Sequence, residues 1–463
     1  MTLPAIPDSA ALMRQGLITS VDLVRATLAA IALRDPHLHA FVGLDAAFAL
    51  EQAAQADRDL MAGLDRGPLH GIPVAIKDMI DVAGQPTACG SAVCAGRVAQ
   101  TDATVVQRLR AAGAIITGKV ATYEFAMVGP DTGLHYRPAR NPWNLAHITG
   151  GSSSGSAAAI AGGLVRAAVG TDTGGSVRSP ASYCGTVGLK PSFGRVPRTG
   201  VFALAPSLDH VGPLAATVQE AALMLDALSG PCAGDAASLS HSWRPAMGLV
   251  GQDMAGRRVG YARHWFVHDP ACDPAVIRAM DDAVSQLSLL GMRIEEISLP
   301  DYALYEAAGS VILHAEALAT HRHLVAEHAD KYGRMTLQSL AVGAAVTPAD
   351  LAVARQAATL LSGTMAAHFQ RFDVIVTPTT LTPAPRFVAF EGGSAVWTPM
   401  RTLPFNLTGT PVLSLPIGFS GGLPLGMQIA GAAGAEDVIC AIGHAFERAT
   451  DHALMTPQGF GAA

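Results

Sequence analysis

Apolar side chains recur with two different periods along this chain, and the change of period predicts alternating helices and strands. Residues 20–34 (SVDLVRATLAAIALR) and 45–62 carry apolar positions three to four residues apart, which is typical of helices, with Ser20 as the N-cap of the first. Residues 71–84 (GIPVAIKDMIDVAG) instead contain the β-branched alternation of a strand. Lys77 is an anomaly there, because the surrounding strand residues are Val, Ile and Ala.

A helix, a glycine and a strand follow one another twice, which predicts a layered α/β fold. The first copy is DATVVQRLRAAG with AIITGKV, and the second is DPAVIRAMDDAVSQLSLLG with MRIEEISL, where Asp273 is the N-cap and Pro274 the first helical residue. Residues 302–371 are almost wholly helical in pattern. We therefore expect a mixed, mostly parallel central sheet covered by helices on both faces, with residues 302–371 as a further helical cover.

Composition favours one large domain. Half of the 463 residues are hydrophobic and 15% are charged, against about 25% in an average soluble chain, so the interior is large relative to the surface. Residues 231–256, rich in Gly, Ser, Pro and Ala, are typical of a surface connection. We expect a single domain over 1–463, with N-terminal helices in 1–66, a catalytic core in about 67–230, the helical cover, and C-terminal strands with a helix in 372–463.

Charge and targeting signals bound the partners that we expect. The chain carries 31 Lys plus Arg against 37 Asp plus Glu, a net charge of −6, so it lacks the basic footprint of nucleic-acid-binding proteins. Residues 1–16 lack the regions of a signal peptide, and the uncharged stretch 402–435 is interrupted by Pro and Gly. We expect a cytoplasmic monomer or homodimer with a small-molecule substrate, no nucleic-acid partner and no membrane contact.

Cysteine and histidine spacings indicate no metal site. The six cysteines show no CxxC spacing and are expected to be reduced thiols in a core. His314, His321 and His328 recur every seven residues on a predicted helix, which is a poor spacing for zinc. A partly solvated helix face is the favoured interpretation, and we expect neither a metal nor a cofactor.

Two glycine-containing motifs match known catalytic loops only in part. GAIITGKV (113–120) has Val120 where a phosphate-binding loop needs a hydroxyl, and its apolar residues predict a strand. GSSSG (151–155) matches the nucleophile elbow GxSxG with Ser153 at its centre, but the preceding RNPWNLAHITG lacks the strand that an elbow requires. We disfavour both functions.

A third glycine motif, GTDTGGSVRSP (170–180), lies where a predicted strand is followed by a helix. The N–H groups of Thr173, Gly174, Gly175 and Ser176 would lack partners there and converge on an anion. Taken alone, the segment favours an ordinary tight turn over an anion site. No histidine lies nearby in the chain, so Ser176 needs another base if it is a nucleophile.

Three segments, in order, closely resemble the amidase signature family of hydrolases: GIPVAIKD, GGSSSGSAAAIAGG and VGTDTGGSVRSPASYCGTVGLKPSFGRVPRTG. The similarity covers nearly the whole chain, because five further segments also resemble that family: AGAIITGKVATYEF, NPWN, PSLDHVGP, FDVIVTPTT and FNLTGTPVLSLPIGF. The resemblance implies the amidase signature fold and the hydrolysis of amide-type C–N bonds.

The resemblance also implies a catalytic triad. Ser176, the serine of GGSxR, would be the nucleophile, Ser152 would relay protons from a position after a cis peptide bond, and Lys77 would be the base. Lys77 must be uncharged to accept a proton, and burial among apolar neighbours lowers a lysine pKa from its usual value near 10.4. The four N–H groups of the third glycine motif would form the oxyanion hole.

Further polar residues surround the expected triad. Ser153, Asp172 and Arg178 are expected to help hold the cis peptide bond. For each of the three, an ordinary structural hydrogen bond or surface ion pair is at least as consistent with the sequence as an effect on turnover.

The substrate is less well specified than the reaction. Residues 123–135 (YEFAMVGPDTGLH) and the helical cover are expected to line the pocket, and Phe125 and Met127 favour a neutral amide or aryl carbamate. We expect a freestanding amidase with urethanase or ester side activity. Two alternatives stay open. The first is the catalytic subunit of a tRNA-dependent amidotransferase, which commonly has GGSIRQPA, with glutamine where this chain has Ser179. The second is a non-catalytic binding protein, which the complete triad disfavours.

Overall fold

One sheet of eleven strands runs through this computed structural model, which describes residues 3–134, 136–238, 243–393 and 395–459. The strands in chain order are β1 Phe41–Leu44, β2 Pro73–Lys77, β3 Ile115–Val120, β4 Ala167–Asp172, β5 Val187–Lys190, β6 His210–Ala215, β7 Arg258–Tyr261, β8 Arg293–Glu296, β9 Val374–Pro378, β10 Val412–Ser420 and β11 Leu423–Gly431. Their order in the sheet is β1-β3-β2-β4-β6-β5-β10-β11-β9-β7-β8.

Thirteen α-helices lie in the same described ranges. They are α1 Ile6–Arg14, α2 Ser20–Leu38, α3 Ala46–Met61, α4 Thr104–Ala111, α5 Ser154–Ala161, α6 Arg178–Cys184, α7 Val218–Leu228, α8 Pro274–Leu289, α9 Tyr302–His328, α10 Arg334–Ala344, α11 Pro348–Arg371, α12 Leu403–Leu407 and α13 Glu436–Arg448. The predicted helical cover is confirmed, because α9, α10 and α11 fill residues 302–371 almost completely.

The sheet is mixed, as predicted, but the expected majority of parallel pairs is wrong. Of the ten strand pairs in the described part of the chain, six are antiparallel and four are parallel. β10 and β11 are joined by Gly421 and Gly422, both with positive φ, and so tight a connection permits only antiparallel pairing. The parallel pair β7–β8 has the intervening α8 as its crossover.

Alternation along β2 divides its side chains between the two faces of the sheet. Val74 and Ile76 belong to a core cluster that includes residues of α4, α7, α8 and α13. Ala75 packs with residues of α5 and α6 on the other face. Because side chains two residues apart lie on the same side of a strand, Lys77 lies on the face of Ala75, toward α5. Helices therefore cover both faces, as predicted.

The first predicted helix has its cap one residue earlier than expected. Thr19, not Ser20, is the N-cap of α2, and its side chain forms a capping box with Asp22. Ser20 instead donates its hydroxyl to the Gly71 carbonyl at 2.8 Å. The other predicted cap is confirmed, since Asp273 caps α8 with Pro274 at its first turn.

Three sequence expectations concern a surface connection, membrane-spanning helices and metal sites. The predicted surface connection 231–256 contains residues 239–242, which lie outside the described residues. Within the described ranges, no unbroken helix has the length and apolarity needed to cross a membrane, although α10 and α11 together meet that test as a pair bent by 93°. Among described residues, no three His, Cys, Asp or Glu side chains are grouped so that they could hold a metal ion.

Candidate active site

Lys77 ends β2 as a fully buried amine surrounded by hydroxyl groups. Its Nζ lies 2.7 Å from Ser152 Oγ, 3.0 Å from Ser153 Oγ and 2.7 Å from Thr171 Oγ1. All five residues of β2 are buried, so the Lys77 amine at the end of the strand does not reach water. It must therefore find hydrogen-bond partners inside the protein. Three hydroxyls supply them.

Burial lowers the pKa of Lys77 from its ordinary value of 10.5 to about 7. The negative charges of Asp172 and Asp209 oppose this shift and keep the pKa from falling further. A lysine with a pKa near 7 is about half uncharged at neutral pH, whereas an ordinary lysine is uncharged in only about one molecule in 2,500. The environment therefore supplies the neutral amine that a base requires.

Ser152 follows a cis peptide bond, Gly151–Ser152, just before α5. Gly151 is required at this place, because a Cβ atom there would lie 2.1 Å from the ring of Tyr123. The Ser152 carbonyl accepts the Tyr123 backbone N–H at 3.1 Å and the Ser154 N–H at 2.8 Å. These contacts fix the backbone that presents the Ser152 hydroxyl to Lys77.

Ser176 lies on the adjoining turn between β4 and α6. Its carbonyl accepts the Ser153 backbone N–H at 3.2 Å, so the two serine segments are joined directly. Ser176 is partly exposed, and among the described residues its hydroxyl has no hydrogen-bond partner. The structure thus brings Lys77 and Ser152 into contact and leaves the Ser176 hydroxyl open to a cavity beside them.

The turn does not leave all four predicted N–H groups available. Gly175 donates its N–H to Asp172 Oδ1 at 2.8 Å, so its predicted part in an oxyanion hole conflicts with the structure. The N–H groups of Thr173, Gly174 and Ser176 have no acceptor within the described ranges. Gly175 has φ +135° and no room for a Cβ beside Thr402, which explains the glycine at this position.

Asp172 and Arg178 clamp the two ends of the turn. Both side chains are fully buried and joined by two hydrogen bonds, Arg178 Nε to Asp172 Oδ2 at 3.0 Å and Arg178 Nη2 to Asp172 Oδ1 at 2.9 Å. Burial opposes ionisation, but the Arg178 guanidinium, Lys190 and Asn406 hold the pKa of Asp172 well below its usual range. Arg178 also donates to Asn406 and to Gln428. Asp172 and Arg178 therefore form a buried ion pair rather than a surface pair.

Ser153 contacts the amine and not the cavity. It is fully buried, and its Oγ receives a hydrogen bond from Lys77 and one from the Thr171 backbone N–H at 3.3 Å. This position agrees with the sequence argument against the elbow motif. The other disfavoured motif, GAIITGKV (113–120), contains the strand that the sequence predicted, because Ile115–Val120 form β3.

The cavity that contains Ser176 is narrow and uncharged. It is lined by Tyr123, Met127, Val128, Gly129, Ile148, Gly150, Gly151, Gly174, Gly175, Ser176, Ser179, Val396, Trp397, Thr398 and Met400. Met127 therefore lies where the sequence predicted, but Phe125 does not line this cavity. Phe125 packs instead against Phe202, His321 and Tyr332.

Other lining predictions also need correction. The helical cover supplies no residue to this cavity within the described ranges, and the segment 396–400 takes its place. Residue 135, the last of the predicted segment 123–135, lies outside the described residues. His314 and His321 are buried, so the predicted solvated histidine face is wrong for two of its three members. His321 contacts the Tyr332 hydroxyl at 2.8 Å.

Sequence reasoning missed Thr171 and Asp209. Thr171 is a polar residue at the buried end of β4, shortly before the glycines of the turn, and that position was the available signal. Asp209 accepts the Thr173 hydroxyl at 2.6 Å and the N–H groups of Leu204 and Ala205. Desolvation raises the pKa of Asp209 to about 6. Asp209 lies in PSLDHVGP (206–213), a segment that resembles the family, and that resemblance was the available signal.

Comparisons with known proteins cover nearly the whole chain. A family model described as Amidase matches residues 22–440. A relative from Methylococcus capsulatus, named as a subunit of glutamyl-tRNA(Gln) amidotransferase, is 38% identical over 98% of this chain and 98% of its own length. One similar solved structure comes from a vestigial protein complex that reveals the evolutionary origins of an s-triazine catabolic enzyme. It has a TM-score of 0.89 and 31% identity, and the match covers 96% of this chain and 98% of that chain. A bacterial aryl acylamidase of the amidase signature family has a TM-score of 0.87 at 26% identity, with 97% and 96% coverage.

The expectation of a small-molecule substrate and no nucleic-acid partner is wrong in the light of these relatives. The relative from Methylococcus capsulatus is named for glutamyl-tRNA(Gln), which is a nucleic acid, and as one part of a larger enzyme. The expectation rested on the net charge of the whole chain. Net charge describes the average surface and does not exclude a local contact or one made through another protein of the assembly.

Proposed function

The chain belongs to the amidase family, whose members act on C–N bonds, and we propose that it hydrolyses an amide through an acyl-enzyme on Ser176. The observation that carries this proposal is the buried Lys77 amine held 2.7 Å from Ser152 Oγ, beside the turn of Ser176. A serine nucleophile needs a base, and no histidine contacts this group of residues in the described part of the chain. In this proposal Lys77 is that base.

The proposed reaction begins with uncharged Lys77. Lys77 takes the Ser152 hydroxyl proton while Ser152 takes the proton of Ser176, and Ser176 Oγ attacks the amide carbonyl carbon. The negative charge that develops on the carbonyl oxygen is stabilised by the N–H groups of Thr173, Gly174 and Ser176, at about 3 kcal/mol for each well-placed donor.

The leaving nitrogen receives the relayed proton through Ser152, and the C–N bond breaks to leave the acyl-enzyme. Water then attacks the acyl carbon and gives its proton to the same relay. The acid is released and Ser176 regains its hydroxyl proton. Ser153 and Thr171 keep the Lys77 amine in place during both halves of the reaction, and the Asp172–Arg178 pair keeps the turn in place.

We further propose that this activity serves an amidotransferase. The support is the Methylococcus capsulatus relative, named as part of glutamyl-tRNA(Gln) amidotransferase, which matches this chain from end to end, with further relatives of the same name. In that function the chain would release nitrogen from an amide donor for transfer within an assembly that acts on glutamyl-tRNA(Gln).

A specific observation also favours a second candidate, an amidase that acts by itself on uncharged amides. No described residue lining the Ser176 cavity carries a charge, so an amino acid donor would find no ion-pair partner for its ammonium and carboxylate groups there. Ser179, in the position where the amidotransferase pattern has glutamine, also lines this cavity. Anilides and aryl carbamates are the matching test substrates.

One set of assays separates these hypotheses. A fluorophosphonate probe should label Ser176, and an adduct on Ser153 would contradict the proposed nucleophile. The purified chain is then assayed with glutamine, acetanilide and an aryl carbamate. Glutamine hydrolysis that appears only when partner proteins of the assembly are added supports the amidotransferase, whereas turnover of anilides by the chain alone supports the second candidate.

A further inference from the structure

A strained turn, residues 124–127, forms part of the wall of the Ser176 cavity. Phe125 has φ +48° and Ala126 has φ +60°, a left-handed conformation that is unfavourable for residues with a side chain. Met127, the last residue of this wall turn, lines the cavity. Two consecutive residues in this conformation persist only where surrounding contacts hold the backbone. The wall turn must therefore be held by contacts from outside it.

Glu124 joins the wall turn to the helical cover. Its buried carboxylate accepts the Gly333 N–H, at 3.1 Å from Oε1 and 2.9 Å from Oε2, and the Ser91 hydroxyl at 2.7 Å. Gly333 immediately precedes α10, and a Cβ atom there would lie 2.8 Å from Glu124 Oε2, so glycine leaves room for this contact. Burial raises the pKa of Glu124, so an uncharged group of the same shape also suits this environment.

The helical cover also lies behind Met127. Met127 belongs to a buried cluster that includes Ala317 of α9, Leu340 of α10 and Tyr332 between these helices. Its side chain therefore lies between the cover and the Ser176 cavity. Among the described residues the cover supplies none to the cavity lining, but it shares a cluster with one residue that does.

We propose that Glu124 is a positioning residue through which the helical cover sets the width of the Ser176 cavity. By tying the wall turn to the segment before α10, Glu124 holds the Met127 side chain against the cover and out of the cavity. In this role it decides how large an acyl group fits beside Ser176. The inference rests on the proposed function, because it assigns a size selectivity to the site at which Ser176 reacts.

Two sulfonyl fluorides that attach to a reactive serine measure this width. Methanesulfonyl fluoride carries a methyl group and phenylmethanesulfonyl fluoride a benzyl group, and mass spectrometry follows the labelling of Ser176 by each. The ratio of the two rate constants, benzyl over methyl, does not depend on how much of the protein is folded. We expect this ratio to fall about tenfold or more in Glu124→Ala. Glu124→Gln keeps the shape and an acceptor for Gly333, and should keep the parent ratio.

A matched control and a double variant test whether Glu124 acts through the wall turn. Glu316 on α9 also ties the cover to another segment, since its carboxylate accepts the Ser207 N–H at 2.9 Å and the Ser207 hydroxyl at 2.8 Å. Glu316→Ala should keep the parent ratio, because Ser207 lies outside the wall turn. In Met127→Ala, the addition of Glu124→Ala should leave the ratio unchanged, because no long side chain remains to enter the cavity.

The labelling outcomes separate this inference from the proposed function. An unchanged or raised ratio in Glu124→Ala overturns the inference, and so does an equal fall in Glu316→Ala. If Glu124→Ala lacks a cooperative thermal transition, Ser91→Ala, which removes one donor to the carboxylate, takes its place with the same direction of change expected. Failure of both reagents to label Ser176 in the parent protein would contradict the proposed nucleophile instead.

Hydrogen–deuterium exchange tests the inference without any reaction at Ser176. The Ala126 and Met127 N–H groups donate within the wall turn region, each at 2.9 Å, to the carbonyls of Tyr123 and Glu124. Their exchange should become about tenfold faster or more in Glu124→Ala, because the turn opens more often without its anchor. It should be unchanged in Glu316→Ala. Parent-like exchange in Glu124→Ala overturns the inference.

Discussion

Two lysines on neighbouring strands of one sheet are both buried but have different partners. Lys119 Nζ on β3 lies 3.1 Å from Asp78 Oδ1 and donates to Thr87 Oγ1 and the Pro86 carbonyl. Lys77 on β2 contacts three hydroxyls, and no carboxylate touches it in the described ranges. Burial lowers the pKa of both amines, but Asp78 opposes that shift at Lys119 through a direct ion pair.

We infer from this difference that the partner, and not burial alone, decides whether a buried lysine can act as a base. A carboxylate in contact stabilises the ammonium form and holds the proton on the amine. Hydroxyl groups accept from the ammonium form and donate to the neutral amine, so they satisfy both protonation states. We therefore expect Lys77 to exchange a proton with Ser152, and Lys119 to remain paired with Asp78.

The strongest effect that we expect is the loss of amide hydrolysis in Lys77→Ala. Removing a general base costs about 10²–10⁴ in rate, and we expect kcat for an amide substrate to fall by about 10³. The thermal transition should stay cooperative, because the neutral amine makes only hydrogen bonds to neighbours that can bind water instead. Turnover near that of the parent protein would contradict the assignment of Lys77 as base.

The matching change at the structural lysine, Lys119→Met, should act on stability. It leaves Asp78 buried without its cation, which costs about 3–5 kcal/mol in free energy of unfolding. Urea denaturation measures this loss, and Lys119→Met with Asp78→Asn should recover part of it. The kcat of the folded fraction should fall less than tenfold. A loss of turnover equal to that of Lys77→Ala would remove the distinction between the two lysines.

The pH dependence of kcat/KM should report Lys77. Its pKa is lowered to about 7, and only the uncharged amine accepts a proton, so activity falls as pH drops through 7. Below that value, each further pH unit should reduce kcat/KM about tenfold, and above it the rate should reach a plateau. The inflection should persist in folded Lys119→Met. A pH-independent profile between about 5 and 8 is incompatible with Lys77 as the base.

The weakest effect that we expect comes from Thr171→Val, which removes one of the three hydroxyls around Lys77. A hydroxyl acceptor stabilises the charged amine, so its loss should move the inflection to lower pH, by less than about one unit. Thr171→Ser keeps the hydroxyl and should keep the parent profile. A shift to higher pH in Thr171→Val would show that Thr171 acts mainly as a donor to the neutral amine.

Local sequence predicted the elements of this fold better than their pairing. The three cover helices and β2 follow from apolar periodicity, since each pattern lies within one continuous segment. The mostly parallel sheet was wrong because strand direction depends on which strands become neighbours, and β5 lies between β6 and β10, although β10 is far from both in sequence. Phe125 shows the same limit: its apolar character is equally suited to a cavity wall and to the cluster with Tyr332.

Local and chemically specific features of the sequence were enough to indicate the family, the lysine inside an apolar strand and the serines on two glycine-rich segments. Long-range packing was needed to establish that the lysine meets hydroxyls instead of a carboxylate, that Gly175 gives its N–H to Asp172, and that the segment 396–400 closes the cavity. Each of these depends on atoms that come together only when distant segments pack. Contacts of that kind set the charge of a buried amine, and no spacing along the chain encodes them.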